Sequence, residues 1–403
     1  MRLTTKIFIG MLMGILAGVS LSLFAPELVP GLKEYVLGPV GAIFLRAIKM
    51  LVVPLVLVSL IAGAASIGDP RKLGRLGGKT LGLYLVTTAI AITIGLTLAN
   101  IVQPGESITI PTDISYEAKP SPPITQVLVE MVPTNPIAAL VEGQMLQIIV
   151  FALLVGVAIS ILGEKAKNIR TIVDQANSVL IEVTHIIMKI APYGVFALLT
   201  VSIGEQGVDV LLPMAKYMLV IIAALLLHVA VVYSSMIKLL GKMNPITFFK
   251  GFFPAMAVAF STSSSSATLP VTIETAEENL RISKETASFV LPLGATINMD
   301  GTAIMQGVAA VFIAQVYGLD LTIGQQLTIL LTATLASIGT AGVPGVGLIT
   351  LAMVLEAVGL PVAGIALIVG VDRLLDMCRT VVNITGDATV ALAVDVSEKK
   401  YQG

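Results

Sequence analysis

The chain has 403 residues, of which 56% are hydrophobic and 12% are charged. Soluble proteins carry about 25% charged residues, so this composition cannot cover a water-facing surface. A single cysteine excludes a disulfide scaffold, and 24 basic residues against 25 acidic ones leave no excess positive charge for nucleic acid. The composition therefore predicts a protein that crosses the lipid bilayer several times and has no nucleic-acid partner.

The first 240 residues contain six apolar segments, each long enough to cross about 30 Å of hydrocarbon as a helix. They are residues 6–24, 35–67, 80–102, 124–162, 172–203 and 211–240. Pro54, Pro133 and Pro136 mark places where the longer segments are expected to break. The first segment lacks a small-residue cleavage site, so we expect it to be retained rather than removed as a signal peptide.

Basic residues are concentrated in alternate loops, and this predicts the orientation of the segments. The loops after the second, fourth and sixth segments are rich in Lys and Arg, whereas the loop at 103–123 contains Lys119 alone and those at 25–32 and 204–209 contain none. Cytoplasmic loops collect basic residues. Because Lys399 and Lys400 follow the last apolar segment, we expect both termini to be cytoplasmic.

The next apolar segments after residue 240 are too short to cross the membrane singly. Residues 246–260 make half a span, polar residues 261–266 interrupt it, and residues 267–273 resume it. Polar groups at that depth are tolerated only where protein encloses them, so the pattern predicts a re-entrant helical hairpin. Two interfacial helices joined by a polar loop are the alternative. The charged stretch 274–285 then leads to a seventh span at 289–316.

The same plan repeats in the last part of the chain. Residues 327–336 form another half-span, which ends in a tip rich in helix breakers at 337–347. The chain returns through residues 348–358 and then crosses the membrane in a last span at 362–394. In transporters, inverted repeats of this kind enclose a site at the midplane of the membrane. The predicted fold is an all-α polytopic membrane protein with eight transmembrane helices and two re-entrant helical hairpins in an inverted repeat.

The last span carries a stripe of polar side chains. Its members are Asp372, Asp376, Arg379, Asn383 and Asp387. They fall within roughly 80° of one another on a helix. Ionisable residues in a membrane are costly and usually face a functional cavity, although a network of ion pairs that only locks helices together is the alternative. Arg373 lies about 100° off the stripe and is expected to pair with another helix.

Two motifs, at residues 298–302 and 383–387, each combine an amide, a carboxylate and a glycine that can loosen the helix. Hard oxygen donors and freed carbonyls favour a small hard cation such as sodium. A transition metal is not expected, because Cys378 is the only thiol and we assign His185 and His228 to packing away from this cluster.

The serine-rich tip is followed by Pro270, which we expect in the first turn of the returning half-helix. The backbone amides of that turn lack partners within the helix and can therefore bind a carboxylate. Arg379 provides a second anion receptor, and Asp376 can receive an ammonium group. A site that binds two carboxylates and one amine matches the functional groups of an acidic amino acid.

These motifs resemble those of the dicarboxylate/amino acid:cation symporter family, which contains the glutamate transporters and archaeal aspartate-transporting relatives. The resemblance is carried by residues 261–270, 294–302, 336–347 and 372–387. It implies a sodium-coupled symporter of aspartate and/or glutamate in the cell membrane. It also implies a homotrimer and an elevator mechanism, with no enzymatic activity and no organic cofactor.

The resemblance further implies roles for individual residues. Substrate contacts are implied for Ser264, Ser265, Thr302, Val343, Gly347, Asp376, Arg379, Thr380 and Asn383, with Asp372 orienting Arg379. Arg379 takes the side-chain carboxylate, Asp376 the ammonium and Asn383 the main-chain carboxylate. Sodium ligands are implied in three sets: Gly294, Asn298, Asn383 and Asp387; Thr296, Ser337, Ile338 and Thr340; and Tyr84, Thr87, Thr88, Asn298 and Asp300.

The resemblance also divides the chain into two functional parts. A scaffold is implied at 1–79 and, after an extracellular loop, within 104–205; a transport domain at 80–103 and 206–395; and a cytoplasmic tail at 396–403. The transport domain is expected to slide across the membrane relative to the scaffold, which is an elevator motion. The second hairpin is expected to be the extracellular gate.

The chain departs from the family pattern at a few positions. Animal members that also move a proton have a carboxylate where this chain has Gln306, so proton co-transport is not expected. Members usually carry an accessory arginine at one of the positions occupied here by Ser263 and Met377, which leaves Arg379 as the one fixed positive charge expected in the site.

Two other classes of protein are the alternatives. Asp300 and Asp387 could form the catalytic dyad of an intramembrane protease, but they lack the Gly-x-Gly-Asp context and have amide and hydroxyl neighbours. A channel is the third interpretation, although paired hairpins favour gated access over an open pore.

Overall fold

The computed structural model describes residues 3–66, 70–106, 129–207, 211–338, 340 and 342–402. All regular elements in these ranges are helical, in agreement with the predicted all-α class. The helices are α1 Leu3–Phe24, α2 Gly38–Ser66, α3 Pro70–Val102, α4 Pro136–Glu142, α5 Met145–Leu162, α6 Lys167–Gln206, α7 Leu211–Leu227, α8 Ser234–Leu239, α9 Pro245–Thr262, α10 Ser265–Glu278, α11 Lys284–Ile297, α12 Asp300–Val316, α13 Ile323–Ser337, α14 Val346–Ala357 and α15 Ile365–Gln402. Short helical turns precede α2, and a π-helical turn, His228–Tyr233, joins α7 to α8.

Several helical segments are long and apolar enough to cross a membrane. Within the described ranges these are Pro26–Ala65, Leu76–Val102, Gln147–Ile187, Leu212–Leu239 and Lys284–Val316. Large apolar side chains such as Leu16, Phe24 and Leu154 are exposed on the outer faces of their helices. Exposing such an apolar surface to water is unfavourable, whereas contact with the lipid hydrocarbon is not. The fold is therefore that of a multi-pass membrane protein.

The prolines do not all interrupt their helices as predicted. Pro54 lies inside the continuous helix α2, so the predicted break there is wrong. A proline is tolerated in a membrane helix when neighbouring helices satisfy the freed backbone groups. The fourth segment does break: Asn135 caps α4, Gly143 ends it in the left-handed region at φ 70°, and α5 follows. The start of that segment at 124–128, Lys119 and the loop residues 208–209 lie outside the described residues.

The first hairpin consists of α9 and α10, as the half-spans predicted. Thr262 ends α9, Ser263 adopts the left-handed conformation at φ 52°, and the Ser264 hydroxyl accepts from the amide of Ala267 at 3.1 Å to cap α10. Because capping begins at Ser264, Pro270 lies inside α10 rather than in its first turn. The predicted position of this proline was therefore wrong.

The second hairpin consists of α13 and α14. Thr322 begins α13 with a capping box, and Gly345 at φ 83° precedes α14. Within the tip, Gly339 and Ala341 lie outside the described residues. Each hairpin is followed by a long helical segment, α11–α12 after the first and α15 after the second, so the predicted order of elements occurs twice.

The two predicted loosened helices behave differently. Asn298 and Met299 separate α11 from α12, as the glycine-containing motif predicted, whereas α15 is continuous through Gly386. The predicted loosening at residues 383–387 is wrong. Gly386 instead permits close packing, because a Cβ there would lie 2.4 Å from the Tyr233 hydroxyl.

The helices pack in two groups that meet at α15. Helices α1 and α2 pack on α6, and α2 also packs on α5, while α3 packs on α12. Helix α15 contacts α7, α9, α11 and α12 and also reaches α6. Helix α12 is almost entirely buried. The polar stripe of α15 thus lies in the densest part of the molecule.

Candidate functional site

The polar stripe of α15 is buried along its whole length. Asp372, Asp376, Arg379, Asn383 and Asp387 are each at most 7% exposed. Burying isolated charges would cost several kcal/mol each, so the fold must supply them with partners. The spacing on one helix face predicted this stripe, and the neighbouring elements supply the partners.

Arg379 is held by two carboxylates of its own helix. Its Nη1 donates to Asp372 Oδ1 at 2.6 Å, and its Nη2 donates to Asp376 Oδ1 at 2.8 Å. Its Nε is buried and makes no hydrogen bond within the described part of the chain. The contact with Asp372 has the geometry expected of a residue that orients the guanidinium plane.

A second arginine lies beside the stripe. Arg373 Nη1 is 3.5 Å from Asp376 Oδ2, and the residue is 9% exposed. The prediction that Arg379 is the one cation of this face is therefore wrong, because Arg373 reaches Asp376 of its own helix. That Arg373 also pairs with another helix stays a prediction. Residues three apart on a helix are neighbours, and the long arginine stem bridges the angular offset.

Asn383 connects α15 to the broken helix. Its Oδ1 accepts from the amide of Gly301 at 2.7 Å, and its Nδ2 is 3.2 Å from Met299 Sδ and 3.5 Å from Thr302 Oγ1. A Cβ on Gly301 would lie 2.6 Å from the Arg379 carbonyl oxygen, so this glycine allows the two backbones to meet. The Thr380 hydroxyl donates to the Asp376 carbonyl at 2.8 Å.

The second hairpin tip reaches the stripe, and the first tip is bonded to the second. Ser264 Oγ donates to the Gly342 carbonyl at 2.6 Å, and the Gly345 amide donates to Asp376 Oδ2 at 3.2 Å. A Cβ on Gly347 would be 3.1 Å from Arg379 Nη2. The substrate residues implied by the resemblance thus converge on one place. Ser265 is buried near this junction, and Val343 packs partly buried against the core.

The first implied sodium set is assembled around Asp387. Asn298 Nδ2 donates to Asp387 Oδ1 at 2.9 Å and is 3.5 Å from the Asn383 carbonyl oxygen. A Cβ on Gly294 would lie 2.4 Å from Asp387 Oδ1, so only glycine leaves space there. A carboxylate, an amide oxygen and backbone carbonyls fit the hard donor set that sodium prefers.

The third implied set is assembled around Asp300. Thr88 Oγ1 donates to Asp300 Oδ1 at 2.6 Å, and Thr87 Oγ1 lies 3.5 Å from Asn298 Oδ1. Tyr84 contributes a carbonyl that accepts from Thr87 at 3.1 Å, while its own hydroxyl donates to Val290. These residues are at most 1% exposed.

The second implied set is only partly brought together. Ser337 Oγ donates to the Ile297 carbonyl at 2.6 Å and accepts from the Met299 amide at 2.9 Å, which attaches hairpin two to the break between α11 and α12. Thr296 and Thr340 donate to carbonyls of their own segments. Ile338 is buried beside Ser337 at the end of α13.

Two residues of the Asp300 cluster were missed by sequence reasoning. Tyr233 Oη donates to Asp300 Oδ2 at 2.8 Å, and His228 Nε2 is 3.2 Å from the same oxygen. The assignment of His228 to packing away from the cluster is therefore wrong. An ionisable residue in an apolar span was the available signal. The π-helical turn that aims both side chains inward cannot be read from residue spacing.

A helical membrane protein in which two hairpin tips are bonded to each other, and one of them to a buried charged stripe, has the architecture of an ion-coupled transporter. The sequence model of the sodium:dicarboxylate symporter family matches residues 3–397, so the chain belongs to this family. The family membership predicted from the sequence motifs is confirmed. Because the family consists of symporters, the protein is a transporter and the protease interpretation is discarded.

Individual relatives match along almost their whole length. The chain is 40% identical to a proton/sodium-glutamate symport protein of Geobacillus stearothermophilus, across 99% of this chain and 95% of the relative. It is 38% identical to a proton/glutamate-aspartate symporter of Escherichia coli strain K12, across 99% and 93%. A C4-dicarboxylate transport protein of Bacillus subtilis strain 168 is 34% identical, across 100% and 96%.

Proposed function

We propose that this protein is a secondary active transporter that moves an acidic amino acid, aspartate and/or glutamate, into the cell together with sodium ions. The observation that carries the proposal is the convergence of the second hairpin tip and the broken helix on the Asp372–Asp387 stripe, with the first tip bonded to the second. The relatives described above, which include glutamate and glutamate-aspartate symporters, support the same substrate class.

Each end of the substrate has a chemically matched partner. The planar guanidinium of Arg379 can bind a side-chain carboxylate through two hydrogen bonds, and Asp376 can accept the ammonium. The side-chain amide of Asn383 is the proposed donor for the main-chain carboxylate, because the amides of Ser266 and Ala267 at the start of α10 already donate to the Gly342 carbonyl and the Ser264 hydroxyl. Ser264, Ser265, Thr302 and Thr380 line this place with hydroxyl groups.

Sodium binding and closure of the second hairpin are coupled in this proposal. The Asp387 and Asp300 clusters share Asn298, which lies in the break between α11 and α12, and Ser337 of the second hairpin is bonded to the same break. An ion that stabilises the break therefore stabilises the hairpin that covers the substrate. Each sodium ion entering down a potential of 100 mV contributes about 2.3 kcal/mol.

The proposed motion is that of an elevator. The packing of α1, α2, α5 and α6 on one another supports a scaffold at residues 1–79 and within 104–205. The packing of α3 on α12 supports a transport domain at 80–103 and 206–395. We further propose eight spans with two re-entrant hairpins, both termini in the cytoplasm and assembly as a homotrimer in the cell membrane.

Uptake into proteoliposomes tests the proposal. Purified protein is reconstituted, and labelled L-aspartate or L-glutamate is supplied outside with an inward sodium gradient. We expect accumulation above the outside concentration that stops when an ionophore collapses the sodium gradient. Uptake that only equilibrates would indicate a channel, and accumulation driven by a pH gradient in sodium-free buffer would contradict sodium coupling.

A further inference from the structure

Helices α6 and α15, which belong to the proposed scaffold and the proposed transport domain, meet at Leu199 and Gly370. A Cβ on Gly370 would lie 2.6 Å from Leu199 Cδ1 and 3.0 Å from its Cγ, so the leucine side chain occupies the space that the missing Cβ leaves. Leu199 is fully buried. Because Gly370 lies two residues before Asp372, the contact is at the start of the polar stripe.

Leu199 is held in place from the scaffold side. A Cβ on Gly14 of α1 would lie 3.2 Å from Leu199 Cβ, so α1 packs directly against the base of this side chain. The neighbouring Thr200 hydroxyl is a donor 3.3 Å from the Gly14 carbonyl oxygen. A leucine that is fixed on one helix and fills a gap on another opposes sliding between the two helices, because protein interiors are close-packed.

The face of α6 that carries Leu199 becomes less bulky towards the start of that helix. Ala191, Val195 and Leu199 are four residues apart and therefore share a face. Ala191 and Val195 line a cleft between α6 and α15, together with Val369 and residues of the stripe. In the proposed orientation the start of α6 is cytoplasmic. An inward slide of α15 therefore moves residue 370 away from Leu199 and towards these smaller side chains.

We propose that Leu199 and Gly370 form a positioning contact that holds the transport domain in the arrangement shown by the structure and is released when α15 slides inward along α6. The inference rests on the proposed elevator motion and adds to it the contact that sets one of its two positions. Packed helix interfaces have discrete rather than continuous arrangements. Neither residue belongs to the proposed substrate or sodium ligands, so the contact acts on the balance between the two positions.

A side chain at position 370 should favour the inward position. The Cβ of Gly370→Ala would overlap Leu199 in the present arrangement, whereas Val195 and Ala191 leave more room farther along α6. Overpacking destabilises the present arrangement, so the ratio of inward to present position should rise by about tenfold. In a Leu199→Ala background the added Cβ has room, and the same change should alter the ratio by less than about twofold.

Single-molecule fluorescence energy transfer measures this ratio in full-length protein in proteoliposomes. The two dyes are attached through Asp174→Cys on α6 and Glu278→Cys at the end of α10, both at exposed positions, in a Cys378→Ser background. Labelling is sparse, so that each assembly carries one pair. Sodium and L-aspartate are varied, and the populations of the two transfer efficiencies are compared between wild-type protein and the variants.

Gly364→Ala is the matched control. Its Cβ would also lie 2.6 Å from a side-chain carbon, Ile313 Cγ2, but both residues belong to the proposed transport domain. It should lower the melting temperature and leave the ratio of positions unchanged. If Gly370→Ala does not fold, Leu199→Val replaces it and should raise the ratio about threefold, because it leaves the gap at Gly370 partly unfilled.

Three results would overturn the inference: an unchanged ratio in Gly370→Ala, or in Leu199→Val where that variant replaces it; a shift of full size in the Leu199→Ala background; or the same shift in Gly364→Ala. A wild-type protein with a single transfer efficiency at all sodium and L-aspartate concentrations would instead refute the proposed elevator motion.

Discussion

Ser264 Oγ donates a hydrogen bond of 2.6 Å to the carbonyl oxygen of Gly342, and this contact joins the tips of two hairpins that are 78 residues apart in the chain. The amide of Ser266 donates to the same carbonyl at 3.2 Å. One backbone oxygen of the second tip is therefore satisfied entirely by the first tip. In the proposed mechanism, opening the second hairpin would break both bonds, so the first hairpin would stabilise the closed state.

Ser264→Ala should weaken the closed arrangement. The change removes the bond to Gly342 and also the cap on the Ala267 amide, and loss of such a cap costs about 1 kcal/mol. We expect a lower melting temperature and weaker substrate binding. Ser261→Ala is the matched control, because Ser261 is exposed and bonds only within α9. Equal effects of the two variants in calorimetry would argue against the role of the tip contact.

Asp387→Asn and Asp300→Asn should each lower sodium affinity. Each removes a negative charge from a buried cluster of oxygen donors, and the two aspartates themselves are at most 1% exposed. We expect apparent sodium affinity to fall by about tenfold or more, in line with the loss caused by disturbing metal sites. Sodium titration of aspartate binding measures this. Asp174→Asn, on the exposed face of α6, should have wild-type sodium dependence.

Arg379→Ala should abolish binding of aspartate. It removes the guanidinium that two carboxylates hold in place, leaving Asp372 without this cation and Asp376 with the longer contact to Arg373 at 3.5 Å. Truncating one partner of a buried ion pair costs about 3–5 kcal/mol, and each loss of about 1.4 kcal/mol in binding lowers affinity tenfold. Neutral amino acids such as serine and alanine should be taken up in place of aspartate. Uptake of aspartate with wild-type affinity would disprove the assignment.

Gly301→Ala should destabilise the contact between α12 and α15. The added Cβ would lie 2.6 Å from the Arg379 carbonyl oxygen, which belongs to a helix backbone and cannot move aside. Overpacking of this kind costs about 1–3 kcal/mol. Gly82→Ala is the control, since no atom lies within 4 Å of its Cβ position. Thermal unfolding in detergent should show a loss for Gly301→Ala and none for Gly82→Ala.

The stability contributed by Asp395, just beyond the predicted last span, should depend on pH. Burial alone would raise the pKa of Asp395, but hydrogen bonds from Lys399 and Ser283 outweigh it and hold the pKa below its usual value. Such a group stabilises the fold at neutral pH and loses its contribution as pH falls below about 4. Asp395→Asn should therefore melt earlier than wild type at pH 7, and the difference should shrink at pH 3. Asp174→Asn is again the control.

Much of the architecture was predictable because it follows from local rules. Apolar length predicted the helices, the Ser-rich and Gly-rich interruptions predicted both hairpins, and helical spacing placed Asp376, Arg379 and Asn383 on one face. These features depend on residues within a few turns of each other. The break at Asn298 followed from the same kind of evidence.

Other features were decided only by tertiary packing. The break expected near Gly386 does not form, because that glycine admits the Tyr233 hydroxyl against an intact helix. His228 joins Asp300 across 72 residues, and Arg373 turns toward Asp376 along its own helix. The sequence by itself determined which residues carry charge into the membrane. Their partners were set by the fold, because a buried charge is stabilised by whichever groups packing brings within hydrogen-bond distance, and spacing along one helix does not contain that information.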